Sequence, residues 1–304
     1  MASTGTAHSD VIVIGAGLAG LACTADLLRA GLTVRLLEAS DAVGGRMRTD
    51  TVDGFRLDRG FQVFNTSYPQ VKRRFELSTL MLRPFTPGML LEHGGRRVRL
   101  GDPTRRPGPS ADLLPGRFAS ARDLGALALL STWDLLAPAA LLRRGPETTT
   151  REALSAAGIS DGLVESFFRP FLSGVFLEDS LETSSRFFHL VWRSMLRGSL
   201  CLPAGGIGAV PEQLAAALPN GTLRLEAPVL RLEDTGVVLG DGTELSADAL
   251  VVATGARDAR ALLPGLGSRA AEAPRRTTTR PRTHHWPNRH SWWTGAAPCS
   301  TPPS

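Results

Sequence analysis

Asp10-Val11-Ile12-Val13-Ile14-Gly15-Ala16-Gly17-Leu18-Ala19-Gly20 runs from a β-branched stretch into a glycine turn, and that order decides the fold. Residues Asp10–Ile14 carry the signature of a buried parallel strand. A helical pattern follows from Leu21 to Ala30, with Leu27 and Leu28 on its apolar face and Gly31 as its C-terminal stop. Leu32–Leu37 reads as the next strand and ends at Glu38. Strand, glycine turn, helix and strand make a βαβ unit of about thirty residues. Each glycine has a separate task. Gly15 permits the tight turn, Gly17 removes the side chain that would block a pyrophosphate, and Gly20 lets helix and strand approach. The phosphates would sit at the helix N-terminus, among unpaired N–H groups and the positive end of the dipole. Glu38, 23 residues after Gly15, is placed to accept hydrogen bonds from adenosine ribose hydroxyls, and an acid there disfavours a 2′-phosphate.

Composition limits what else the chain does. With 304 residues, 42% of them hydrophobic and 21% charged, there is ample length for a large core and too little charge for general disorder. The net charge of +5 points toward nucleic acid until it is located. Five arginines (275, 276, 280, 282 and 289) and no acid lie beyond Pro274, which leaves 29 basic against 29 acidic residues in the body. The body therefore has no electrostatic footprint for nucleic acid. Three scattered cysteines (Cys23, Cys201, Cys299) form neither a disulfide framework nor a zinc pattern, and suggest a reducing, cytoplasmic setting. Leu124–Leu142 is the one strongly apolar stretch outside the strands. Asp134 and Pro138 argue against a spanning helix, so buried helices joined near Pro138 are expected, with a peripheral contact with lipid as the alternative.

Further along, Met89–Glu92 and Arg96–Leu100 flank a His93-Gly94-Gly95 turn. Residues 119–200 read mostly helical. Val229–Glu233, Val237–Leu239 and Glu244–Ser246 read as a meander, and Ala249–Ala253 as a separate apolar strand entering a turn at Gly255.

Glu38-Ala39-Ser40-Asp41-Ala42-Val43-Gly44-Gly45-Arg46-Met47-Arg48-Thr49 resembles the extended fingerprint of the flavin amine oxidase superfamily, which includes monoamine and polyamine oxidases, protoporphyrinogen oxidase and phytoene desaturase-like enzymes. Gly54–Gln62, Phe167–Leu177, Leu202–Leu214 and Val251–Ala256 extend the likeness, the middle two toward the desaturase-like branch. The resemblance implies noncovalent FAD, with Gly44, Gly45 and Arg46 beside the phosphates and the Val229 backbone at the adenine. It also implies an α/β fold, in which an FAD-binding Rossmann-like domain of parallel sheet with helices on both faces plus β-meander (residues 8–75 and 203–270) is interleaved with a mainly helical, partial substrate domain (76–202). The implied chemistry is oxidation of C–N or C–C bonds by hydride transfer to flavin. Its partners would be a small, apolar substrate and an electron acceptor that the resemblance does not specify. A catalytically incomplete remnant that binds FAD weakly or not at all is the alternative, and a non-redox flavoenzyme such as a sugar mutase a third.

No catalytic residue is assigned. His93, His189 and Glu178 are the acid–base candidates, with His189 read as a core or interface histidine and Glu178 as a cap. Lys72, the one lysine, reads as part of a solvated helix face. Phe167, Phe168, Phe171, Phe176, Phe187 and Phe188 are read as helix packing, with a tunnel for a lipid-like substrate as the alternative. The tail, residues 274–304, holds three of the five Trp and no periodicity. It reads as an irregular basic extension or as a frame-shifted stretch. Two nucleotides later, Trp292-Trp293-Thr294 gives Val-Asp and His285-Trp286-Pro287 gives Leu-Ala. On the second reading the natural fold continues past this point.

Overall fold

Val11 and Val13 face one way along β1 (Ser9–Ile14) and Ile12 and Ile14 the other, and each pair seeds a separate hydrophobic cluster. This computed structural model describes residues 8–60, 63–93, 96–101 and 119–266. All belong to one compact unit, Met1–Glu272. The tail and its frame lie outside the described residues.

Strand β1 lies in parallel between β2 (Val34–Leu37) and β13 (Glu244–Val252). The six-stranded sheet has the order β10-β2-β1-β13-β12-β11, with β10 (Leu223–Arg224), β11 (Val229–Glu233) and β12 (Gly236–Leu239) completing it. The first four strands are parallel and the last two join antiparallel, so the sheet is mixed and mostly parallel. Helices α1 (Leu18–Arg29) and α9 (Ala209–Ala216) cover the Val11–Val13 face through Leu21 and Leu214.

Three expectations change here. The meander's third strand and the apolar strand at 249–253 are one strand. Residues 244–246 of β13 pair antiparallel with β12, and from Ala247 the same strand runs parallel to β1. A single nine-residue strand thus spares the chain a second crossover. The Ile12–Ile14 face is covered by meander residues Val237, Leu239, Leu245 and Ala247, with Leu262 of α10 (Ala256–Leu262) the one helical contribution. Helix α1 also begins earlier than its apolar pattern, because Gly17 already stands in the N-cap position with extended backbone (φ −69°, ψ 177°).

A hairpin of β3 (Thr49–Val52) and β4 (Phe55–Asp58) follows the first βαβ unit. Strand β9 (Leu200–Pro203) lies between β5 (Phe64–Asn65) and β6 (Leu82–Pro84), and α2 (Pro69–Arg74) connects those two. A second hairpin pairs β7 (Gly88–His93) with β8 (Arg96–Gly101), and His93, expected in the turn, instead ends β7 opposite Arg96.

The helical region comprises α3 (Ala121–Leu136), α4 (Ala139–Arg144), α5 (Thr150–Ala156), α6 (Asp161–Leu163), α7 (Arg169–Phe176) and α8 (Ser185–Arg197). A π-turn over Val164–Phe168 joins α6 to α7; Pro170 lacks the N–H that would bond the carbonyl four residues back. Ser120 and the Thr149–Glu152 capping box start α3 and α5. The aromatic residues pack this region, with Phe168 and Phe188 fully buried and Phe167 and Trp192 nearly so. The packing reading of the phenylalanines therefore describes their surroundings, although Phe187 is half exposed. Helices α3 and α4 meet at Pro138 as expected but are not buried, since Leu129, Trp133, Leu136 and Leu141 face outward.

Candidate functional site

Gly15 closes β1 with φ +102°, in the left-handed region, and its N–H donates to Leu37 O at 2.7 Å, so the turn is tied to β2 at once. Gly20 sits in the first turn of α1, where a methyl group would overlap the Gly15 carbonyl oxygen. That is the close approach that the sequence required of it. Gly17 is the opposite case: a methyl group placed there would meet nothing within 4 Å. The ledge over Gly17 is open. Gly45 (φ +56°) borders it, 3.6 Å from Gly17 to its would-be methyl group, and Gly44 pairs with Gly17 as an isolated bridge. A methyl group on Gly44 would collide with Met47 and Pro211. The two glycine segments therefore form one cradle, Gly44 for packing and Gly17 and Gly45 for access.

The N-terminus of α1 has no side-chain cap. It shares this with α2, α4, α7, α9 and α10, whereas α3, α5, α6 and α8 are each capped by a Ser or Thr oxygen. Unsatisfied N–H groups at the start of a twelve-residue helix, under an open ledge, suit an anion.

Glu38 follows β2 and is fixed on three sides. Its Oε2 accepts from Ala16 N–H at 2.7 Å, and its Oε1 from Ser40 N–H at 3.0 Å and Ser40 Oγ–H at 2.7 Å. The backbone beside it is held by Glu38 N–H to Arg224 O (2.9 Å) and Ala227 N–H to Glu38 O (2.8 Å). The carboxylate keeps lone pairs for ribose hydroxyls. Ser40 was not singled out from the sequence as Glu38's partner; its position two residues after an acid was the available signal. Val229 opens β11 and packs against the cluster of Leu37 and Ala227.

Four arginines (Arg46, Arg48, Arg56 and Arg59) lie on the segment after the double glycine. Arg48 pairs with Asp41 at 2.9 Å and Arg59 with Asp50 at 2.5 Å. Arg46 is exposed, with no hydrogen-bond or ion-pair partner among the described residues, so its fork is available to a phosphate. Behind this segment, Asp58 accepts from Thr49 Oγ–H (2.5 Å) and Ile207 N–H (3.0 Å), and Gly208 N–H donates to Thr49 Oγ1 (2.8 Å). These bonds lock the β3–β4 hairpin onto the Gly205–Gly208 turn, another arrangement that was not read from sequence.

The acid–base candidates do not converge on the cradle. His189 Nδ1 lies 2.8 Å from Asp134 Oδ1, joining α8 to α3. Glu178 accepts from Ser180 Oγ–H and Leu181 N–H, both at 2.8 Å, and from Thr183 N–H at 3.1 Å. Burial pushes its carboxyl up, but the hydrogen bonds from Ser180, Thr183 and Leu181 outweigh that and hold it below the ordinary 4.5. A depressed folded-state pKa contributes stability that is complete above 4.5 and lost as pH falls through the folded value. Glu178→Gln is expected to cost about 1–2 kcal/mol at neutral pH and to flatten the acid side of the stability profile. Denaturant midpoints at a series of pH values check this; parallel profiles for variant and parent would contradict it. Lys72 is exposed on α2. The His93 side chain lies outside the described residues.

A family model described as flavin containing amine oxidoreductase matches residues 18–283. Coproporphyrinogen III oxidase of Propionibacterium freudenreichii subsp. freudenreichii is 27% identical over 338 aligned positions, covering 90% of this chain and 62% of that protein. Putrescine oxidase of Kocuria rosea is 55% identical over 53 residues, 17% of this chain and 11% of that one. Among solved structures, a redesigned putrescine oxidase superposes with a TM-score of 0.61 at 21% identity, covering 87% of this chain and 62% of the other. An oxidoreductase from Methanosarcina mazei gives 0.62 at 19%, covering 86% and 62%. The chain thus spans about 62% of the length of the relatives that it matches broadly.

Proposed function

The chain belongs to the flavin-containing amine oxidoreductase family, and on that premise we propose that it holds FAD noncovalently and oxidises a C–N or C–C bond of a small, apolar substrate. The observation that carries the proposal is the cradle: an uncapped α1 N-terminus, an open ledge at Gly17 and Gly45, an unpaired Arg46 and a pre-oriented Glu38. Each of these suits one part of FAD. The N–H groups of α1 and the Arg46 guanidinium would hold the pyrophosphate, Glu38 the ribose hydroxyls and the Val229 backbone the adenine. Bound flavin would supply the acceptor for a hydride equivalent, and the protein's part is to position the donor and exclude water. Residues 76–202 are proposed as the substrate-facing region and the cytoplasm as the setting.

A second reading is that FAD binds weakly or without turnover. It is favoured by the structural employment of Glu178 and His189, which leaves the cradle without an acid or base from those positions.

The visible absorption spectrum of the purified chain, before and after FAD and gel filtration, tests both. Flavin bands are expected to survive, and Arg46→Ala to weaken FAD binding about tenfold to a hundredfold with unchanged thermal stability. A colourless wild-type protein overturns the FAD reading. Retained flavin that neither amines nor polyenes bleach without oxygen favours the second.

A further inference from the structure

We propose that the outer face of α3 and α4 is a docking surface for an anionic lipid bilayer, on which the protein rests without crossing. From Gly125 to Leu141 the exposed side chains are apolar apart from Thr132, and four of them are large: Leu129 (75% exposed), Trp133 (54%), Leu136 (77%) and Leu141 (53%). A contiguous patch of this kind on a protein surface marks an interaction site. The one acid in the stretch, Asp134, is fully buried against His189. Asp123, just before it, is buried as well, accepting from Ser120 Oγ–H (2.7 Å) and Ser160 N–H (2.8 Å).

Among the described side chains of α3 and α4, the charges left on the surface are positive. Arg122 and Arg144 stand exposed at the two ends of the stretch. Helix α8, packed against both, carries Arg186, Arg193 and Arg197 and no acid. The nearest exposed acid by sequence, Glu147, is paired with Arg186. An apolar face rimmed by cations, with Trp133 on it, is the chemistry of an interfacial helix on anionic lipid.

The backbone agrees. Arg193 donates to the carbonyls of Asp134 (2.8 Å) and Ala137 (2.5 Å), and Arg197 to that of Leu135. These carbonyls at the end of α3 would otherwise need water, which an acyl-chain boundary does not offer. Among the described residues no helix is long and apolar enough to cross a membrane, so the contact lies in the plane of the surface. A second copy is a poorer occupant. Parallel or antiparallel, pairing through this face sets arginine against arginine at the rims.

Flotation of the full chain with phosphatidylcholine vesicles, with and without phosphatidylglycerol, tests the proposal. Binding to the anionic vesicles is expected, with a blue shift in tryptophan emission that Trp133→Phe removes. Leu129→Ser combined with Leu136→Ser should lower partitioning about thirtyfold. Arg122→Ser with Arg144→Ser should lower it about tenfold at low salt, on anionic vesicles alone. All four positions are exposed, so circular dichroism and the thermal midpoint should match the parent. Absence of vesicle binding, or leucine variants that bind like the parent, overturns the proposal. So does a dimer in light scattering that the leucine variants convert to monomer.

Discussion

Gly20→Val should unfold the cradle and abolish FAD binding together, whereas Gly17→Ala should abolish binding and leave the fold. The contrast follows from what surrounds each glycine. A side chain at Gly20 has no space, because its first carbon already overlaps the Gly15 carbonyl oxygen, and that atom is backbone held by the β1–β2 ladder. The helix must shift away from the strand, at a cost of about 3 kcal/mol, the upper end of overpacking. At Gly17 a methyl group meets nothing, and the backbone there is extended, which alanine adopts freely. Its stability cost is that of a poorer N-cap, within about 1 kcal/mol. The same methyl group stands where the pyrophosphate would approach, so loss of two or three hydrogen bonds should lower affinity a hundredfold or more. Chemical denaturation and FAD titration read the two effects separately. If Gly17→Ala bound FAD as tightly as the parent, the ledge would not be the phosphate site.

Phe168→Ala is expected to destabilise the helical region by about 3–5 kcal/mol. The ring is fully buried and touches three others: Phe167 at 4.8 Å and 81°, Trp192 at 5.5 Å, and Phe188 at 6.1 Å and 72°. Edge-to-face neighbours add to the area term. The loss should fall on α3–α8 and leave the cradle, whose clusters are separate, able to take up FAD. Denaturant midpoints combined with the flavin spectrum distinguish this from the tunnel alternative. Were Phe168 a wall of a substrate path, its removal would change turnover with a stability loss below about 1 kcal/mol.

The membrane question shows how far local sequence reaches. Leu124–Leu142 correctly reads as two helices meeting at Pro138, since proline and helical periodicity act within a few residues. Which face meets solvent was not legible. Asp134 turns inward to His189, 55 residues away, while Leu129 and Leu136 turn outward, the reverse of the arrangement that polarity alone predicts. The long-range bonds from Arg193 and Arg197 make that arrangement workable, and nothing near α3 in sequence announces them.

By itself, the sequence determined the glycine loop, the strand before it, the helix after it and Glu38 at the end of the next strand. Those features depend on short-range sterics, on side-chain period and on glycine's freedom at Gly15. Tertiary structure alone decided what each element meets. It made one strand of residues 244–252, shared between meander and parallel sheet, and laid the meander rather than a helix over Ile12 and Ile14. It tied Glu38 to Ala16 and Ser40, and locked Thr49 and Asp58 onto the turn at Gly206–Gly208, about 150 residues on. The division has a physical cause: an element forms from the residues within it, but the partner that covers its face is chosen by packing and polar satisfaction across the whole chain.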